Sequence, residues 1–521
     1  MSRQAGGTGA EVSVLYPGAR GDGPSMPATA QQPDHFRDLH LDQVVKTALA
    51  GREEYDLAPF FYSPLQDETA VRYRQEVCRD LERREVADVV SAFAKAMRQA
   101  RVFLRGMAQV GAKPFKEGWF LDAAETYCAA VTRLHEGLVR AEPSSGALAA
   151  LRDHLFAYRN SSQFQSLASE ARALRQQLAN VQYSVLLHGN RVTVGRYEAE
   201  EDLTALVEGA FAKWRTGQAT DFRTNLPERR DANRVQAEIL QRVAMLYPEL
   251  FSRLETYYER RHGFMNPTVT IFDRDVQFYL AYLGVVYRLR ATGTAFCYPE
   301  VTGTSKEVHV SGGSDIALAL ALARYGGTSQ ANDIELSDPE RIMVVTGPNQ
   351  GGKTTFARMF GQLHYLAGLG LPVPAVEARL FLPDRVFTHF EREERLDNLQ
   401  GKLNDELERV RYILGHATAR SAIVMNESFS STSLADSRFI GAKVLEQVSE
   451  LGALCVYVTF VDELASLNEA TVSAVAEVSA DDPDVRTYKV ARRPADGRAY
   501  AMALARKYGL TYADLRERVA T

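Results

Sequence analysis

The sequence predicts a multidomain chain: a long all-α region carrying one inserted β-hairpin, followed by an α/β domain built on parallel strands. Three observations point there. From Glu68 to Leu178 apolar residues recur every three or four positions, the period of helices that bury one face. Between Val181 and Tyr197 the period drops to two around Gly189-Asn190, a hairpin turn signal. Further on, the short apolar run Ile342–Val345 meets a glycine loop and then a helical pattern, the order of a buried parallel strand and its crossover.

Taken in order, residues 1–35 are rich in Gly, Pro, Ala, Gln and Ser and read as a flexible tail, with Val12–Tyr16 as a short strand inside it. Residues 36–295 form the helical region. A helix starts at Leu41 and is broken near Phe60-Phe-Tyr-Ser-Pro64; one or two long helices follow over Glu68–Met107, and more over Leu121–Leu138 and Ser145–Leu178. After the hairpin, helices resume over Glu201–Phe264 and Thr268–Leu289. Residues 296–521 form the α/β domain.

Composition sets bounds on function. The chain has 521 residues, 45% hydrophobic and 24% charged, enough for several cored domains. It has no 18-residue apolar run and no apolar signal segment, so we expect a cytoplasmic protein without a membrane partner. Cys78, Cys128, Cys297 and Cys455 lack Cys-x-x-Cys spacing and read as reduced thiols. A net charge of −5 argues against coating nucleic acid by charge alone. Local basic faces remain, at Arg98, Arg101 and Arg105 on one helical face and at Lys213-Trp214-Arg215.

The most informative segment is Gly347-Pro348-Asn349-Gln350-Gly351-Gly352-Lys353-Thr354, followed by Thr355. It fits Gly-x4-Gly-Lys-Ser/Thr, a loop that cradles phosphates between a strand and a helix N-terminus. Glycine is needed where a Cβ would block the phosphates, so Gly347, Gly351 and Gly352 are expected among the nucleotide-binding residues. Lys353 supplies a charge to the β- and γ-phosphates, and Thr354 a hydroxyl for Mg²⁺. Pro348, Asn349 and Gln350 complete the loop, and the following helix is expected from Phe356 to Leu366. A nucleotide triphosphate is the ligand this pattern selects.

A second strand, Ser421-Ala-Ile-Val-Met425, ends in Asn426-Glu427. An acidic pair after a buried strand holds the metal through water and polarises the attacking water. Here the metal position is Asn426, which can accept from a Mg²⁺-bound water but brings no charge, while Glu427 is the catalytic carboxylate. The loop Ser428-Phe-Ser-Ser-Thr-Ser433 is rich in hydroxyls. His364, His389 and His416 lie between the two motifs without metal-ligand spacing and read as structural or exposed.

Together these residues resemble the MutS-type DNA mismatch-repair ATPases, a branch of the ABC ATPases. That family's loop reads GPN-Met-GGKS/T, with Gln350 here in place of Met. Leu371-Pro-Val-Pro-Ala375 and Asp384-Arg-Val-Phe-Thr388 resemble its FVPA and DRIFTR segments, and Glu406 matches the acid of its GRSTFMVEM. Asn426–Ser433 aligns with DEIGRGTS, and Tyr488-Lys-Val with Pro494–Tyr500 is similar to its closing segment. The likeness is strong over 296–521 and diffuse over 36–295.

The resemblance implies an ABC-type ATPase domain joined to core and lever helices, working as a homodimer with ATP and Mg²⁺. It places Asn332 on the adenine side and Ser433 in trans in the partner's site. It implies distorted or branched duplex DNA as partner, with a protein partner as the alternative for a scaffold of little turnover. Val458-Thr-Phe460 stands where the family has Ala-Thr-His, so Phe460 cannot donate to the γ-phosphate. With Asn426 neutral as well, hydrolysis is expected to be slow. No mismatch-reading domain is expected, and Phe115-Lys-Glu117, the lone Phe-x-Glu tripeptide, lies in the wrong context.

Overall fold

The structure, a computed structural model, describes residues 12–18, 31–109, 111–189, 191–198, 234–391, 401–479 and 485–495, with positions 512 and 516. Two compact units share the chain: 1–82 with 145–147 and 274–521, and 83–144 with 148–273.

The helical period of Glu68–Leu178 is borne out as five helices. They are α1 (Glu68–Glu82), α2 (Arg84–Gln109), α3 (Lys113–Ala141), α4 (Gly146–Arg159) and α5 (Ser162–Ala179). The α4–α5 break falls where Ser161 caps α5, its hydroxyl accepting from the Phe164 N–H. In the second unit α2 and α3 touch so closely that a Cβ on Gly137 would lie 2.5 Å from Val89. The hairpin is present as β1 (Tyr183–His188) and β2 (Arg191–Arg196), in antiparallel register from Tyr183↔Arg196 to His188↔Arg191. Gly189 takes φ +61°, as the turn requires, and Asn190 lies outside the described residues. Helices α6 (Arg234–Leu246) and α7 (Pro248–Arg261) follow, and Tyr247 and Arg196 donate to the carbonyls of Gln182 and Leu246 to root the hairpin. The expected helix from Glu201 and the Lys213-Trp214-Arg215 cluster lie outside the described residues.

The basic stripe on α2 is partly spent inward, because Arg101 pairs with the buried carboxylate of Asp273. Phe115-Lys-Glu117 lies in the first turns of α3 with Glu117 buried, where burial raises its carboxyl to about 7. With its glutamate turned inward, the tripeptide does not present a Phe-x-Glu pair to a base step.

Helix α8 (Pro267–Arg290) follows, and its residues from 274 onward belong to the first unit. Packing there draws a different line from the expected border at 295. Residues 36–82 and 274–295 lie in the same unit as the C-terminal half. Aromatic packing explains this: Phe61 meets Phe278 at 4.7 Å, Phe36 meets Tyr365 edge-on at 5.2 Å, and the Tyr365 hydroxyl donates to the Phe61 carbonyl.

Val12–Tyr16 is not a strand. Side chains hold its backbone: the Ser13, Val14 and Leu15 carbonyls accept from Tyr73, Tyr279 and Arg74. Arg74 is fully buried and also donates to the Leu369 carbonyl, with its guanidinium over the Tyr16 and Phe278 rings. A backbone whose carbonyls bond side chains needs no sheet neighbour.

Two sheets complete this unit. One runs β3 (Glu300–Thr302), β7 (Glu377–Phe381), β4 (Val308–Gly313), β5 (Asn332–Leu336) in spatial order. The other has six strands in the order β12 (Arg486–Arg492), β11 (Thr471–Val478), β6 (Ile342–Thr346), β10 (Leu454–Val458), β9 (Ala422–Asn426), β8 (Val386–Phe390). All its pairs are parallel except β11–β12. Strands β6, β9 and β10 are buried at every position, as their apolar runs predict. Helices α9 (Ile316–Ala323), α10 (Lys353–Gly368), α11 (Lys402–His416) and α12 (Leu434–Leu451) accompany them. Helix α10 starts at Lys353, three residues before the expected Phe356, because Gly352 at φ +94° caps it with a conformation other residues resist. No helix among the described residues is long and apolar enough to cross a membrane.

Candidate nucleotide site

The loop 347–352 leaves the carboxyl end of β6 and turns into α10. A Cβ on Gly347 (φ +120°) would lie 2.9 Å from the Ala476 carbonyl oxygen, so only glycine lets the loop lie against β11. Gln350 also adopts positive φ, +60°, which is rare outside glycine. Beside the loop lies a cleft of about 580 Å³, lined by Gln350, Gly351, Gly352, Lys353, Thr354, Thr355, Asn332, Glu427 and Tyr488, with Leu318 and Leu322 of α9 as an apolar wall. The helix N-terminus leaves first-turn N–H groups without intrahelical partners, which suits an anion.

Gly351 was expected where a Cβ would block the phosphates, and its surroundings give a different reason for glycine. It borders the cleft but is buried, and its N–H donates to the Pro348 carbonyl at 3.2 Å. Its need for glycine is a matter of packing: a Cβ there would lie 3.0 Å from the Pro348 carbonyl oxygen and 3.1 Å from the Ala476 Cβ. Gly351 therefore closes the loop on itself.

Lys353 is buried, and its Nζ donates to the Gly347 and Pro348 carbonyls at 3.0 Å each. The same ammonium lies 4.3 Å from the centroid of the Phe460 ring, a cation–π contact. Burial lowers the lysine to about 8, against the opposing pull of the Glu427 carboxylate. Asn349 is exposed outside the cleft, and its carbonyl accepts from Arg486.

Asn426 ends β9, between β8 and β10, and is buried, with its Oδ1 lacking a hydrogen-bond partner among the described residues. An orphaned buried acceptor directly before the cleft residue Glu427 fits a metal-bound water. Glu427 follows at φ +52°, its N–H held by the Val458 carbonyl and its side chain facing the cleft. Asn426→Asp is expected to lower thermal stability without Mg²⁺ and to raise Mg²⁺ affinity in the presence of ATP. Thermal melts over a Mg²⁺ titration check both.

The other predicted residues take different places. Asn332 lines the cleft, but its amide is engaged: it donates to the Tyr488 carbonyl and accepts from the Val490 N–H at 2.7 Å. It therefore braces Tyr488, which keeps φ +57° and stays half-exposed over the loop. Ser433 lies outside the cleft as the N-cap of α12, its hydroxyl accepting from the Asp436 N–H and donating to the Asp436 carboxylate. His364 is buried with Nδ1 on the Phe360 carbonyl, and His416 is exposed with Nδ1 on the Tyr412 carbonyl. Sequence reasoning missed Tyr488, Leu318 and Leu322 as cleft residues. For Tyr488 the signal was present, since it opens the segment resembling the family's close.

Residues 343–515 match the family profile MutS domain V. The chain is 31% identical over 280 residues to the DNA mismatch repair protein MutS of Azorhizobium caulinodans, covering 52% of this chain and 29% of that protein. The MutS proteins of Erythrobacter litoralis and Lactococcus lactis are 31% and 28% identical over 226 and 283 residues, or 42% and 53% of this chain. The matched part of this chain is MutS-like. The alignments take in 26% and 32% of those two relatives, so the MutS-family match covers under a third of each protein compared. Within the matched region lie the loop, Asn426, Glu427, Phe460 and Tyr488.

Proposed function

We propose that this MutS-like chain binds ATP and Mg²⁺ in the cleft, hydrolyses ATP slowly, and uses the nucleotide to switch a homodimeric clamp on mismatched, branched or distorted DNA. The observation that carries this reading is the convergence of Lys353, Thr354 and Glu427 on one cleft at a helix N-terminus, Glu427 following directly on Asn426, whose Oδ1 has no partner among the described residues. Residues 347–355 would hold the phosphates, with the Thr354 hydroxyl and Asn426 on the metal side. The metal would neutralise phosphate charge. Glu427 would orient the attacking water, and the Tyr488 ring offers the base an aromatic face. Ser433 of a second copy would close over the γ-phosphate, the ABC-type arrangement that the family resemblance suggests. Phe460 faces Lys353 where the family keeps a histidine, which supports slow turnover.

The test is steady-state phosphate release, and gel shifts at fixed salt, with no DNA, matched duplex, a G·T mispair and a four-way junction. We expect slow basal release, altered most by the junction. The G·T duplex should bind within about threefold of matched duplex, because the one Phe-x-Glu tripeptide buries its glutamate. Absence of both ATP binding and any DNA response sinks the reading. A nucleotide-gated scaffold acting through a protein partner is the second reading, favoured by the engaged state of Lys353. It requires ATP binding without release above buffer.

A further inference from the structure

The loop after Glu427 is pinned on three sides. Phe429 is fully buried yet sits at φ +63°, a conformation costly for a bulky residue, so its surroundings must hold it. The Ser437 hydroxyl donates to the Phe429 carbonyl at 2.6 Å. On another side the buried carboxylate of Glu406 accepts from the Phe429 N–H and from the Ser431 hydroxyl. The third pin is His389 of β8. It is completely buried, its Nδ1 lies 2.8 Å from the Ser428 hydroxyl, and its ring stacks on Phe429 at 6.2 Å and 28°.

Ser428 is bonded directly to Glu427, and Glu427 itself holds positive φ. Strand β8 pairs with β9 through His389↔Met425 and Phe390↔Asn426, so the imidazole projects from the strand that flanks the metal position. We propose that His389 is a positioning residue for Glu427: its bond to Ser428 fixes the residue after the carboxylate and so fixes where that carboxylate meets the attacking water. This rests on the hydrolysis proposed above. His389 stands outside the cleft lining, so its effect should fall on kcat and spare binding.

The experiment compares His389→Leu, His389→Asn, Ser428→Ala and the Leu/Ala double variant in the full chain. Readouts are kcat and KM for ATP, calorimetric ATP affinity, and amide hydrogen exchange over residues 427–431. His389→Asn restores a polar atom near Nδ1. We expect His389→Leu and Ser428→Ala each to lose about ten- to a hundredfold in kcat, with KM and ATP affinity within about twofold of wild type. The double variant should be no worse than the poorer single, and His389→Asn should regain most of the loss. Exchange over 427–431 should quicken at least tenfold in the Leu and Ala variants. Unchanged exchange in both overturns the proposal whatever the turnover, and so does equal loss of kcat and ATP affinity. If wild type shows no turnover, the hydrolysis reading fails, while exchange still decides whether His389 pins the loop. Should His389→Leu not fold, Ser428→Ala carries the same comparison.

Discussion

Lys353→Ala should lower ATP affinity by about a hundredfold or more while leaving the fold intact. Two charge-assisted hydrogen bonds to phosphate are each worth roughly 1.5–3 kcal/mol, so losing both costs about 10² to 10⁴ in affinity. The fold should not suffer, because burial lowers this lysine to about 8 and so penalises its charged form. That cost to folding is fully present below pH 8 and fades as pH rises toward the unfolded value, so removing the charge at neutral pH does not destabilise. The same shift gives wild-type binding a pH signature. Phosphate needs the ammonium, so ATP affinity should be level below pH 8 and fall above it, with proton uptake on binding. In Lys353→Ala this fall should vanish. Calorimetry from pH 6.5 to 9.5 measures both, and unchanged affinity in the variant would remove the phosphate-loop assignment.

Glu427→Gln should abolish hydrolysis and spare binding. A positioned general base contributes about 10² to 10⁴ in rate, and Asn426 beside it has no proton affinity to substitute. Glutamine keeps the shape and can occupy the same φ +52° backbone, so ATP affinity should stay within about threefold. Single-turnover hydrolysis with radiolabelled ATP reads the chemical step apart from release. A variant as fast as wild type would move the base elsewhere, and Glu406, buried behind the loop, would be tested first.

What the sequence disclosed follows from how local each requirement is. The glycine loop was legible because positive φ at Gly347 and Gly352 and the β-branched run of β6 are demands of adjacent residues. The role of Gly351 was less so, since the crowding that excludes a Cβ there comes partly from Ala476 on β11. Glu427 was legible because it follows its strand directly. Tyr488, Leu318 and Leu322 reach the same cleft from distant segments of the chain, and no spacing rule joins them. His389 read as structural, yet its partner Ser428 lies 39 residues away and appears only once β8 and β9 pair. Arg101 looked like surface charge because Asp273, which takes it up, is 172 residues distant. The segment Val12–Tyr16 passed for a strand because its apolar residues are buried, but side chains from α1 and α8 satisfy its carbonyls.

Arg74 has a consequence for the order in which the chain can be completed during synthesis. Its guanidinium is buried only once Leu15 and Leu369 are both in place, and Leu369 lies 295 residues downstream. At roughly 5–20 residues per second, a ribosome needs about 15–60 s to deliver that partner. Throughout that interval Phe36, Phe60 and Phe61 lack aromatic neighbours that they have in the finished fold, because Phe278 and Tyr365 have not all been made. The second unit, contained within residues 83–273, emerges complete in the meantime. The nascent chain therefore carries an open apolar surface, the kind of intermediate that a ribosome-associated chaperone shields.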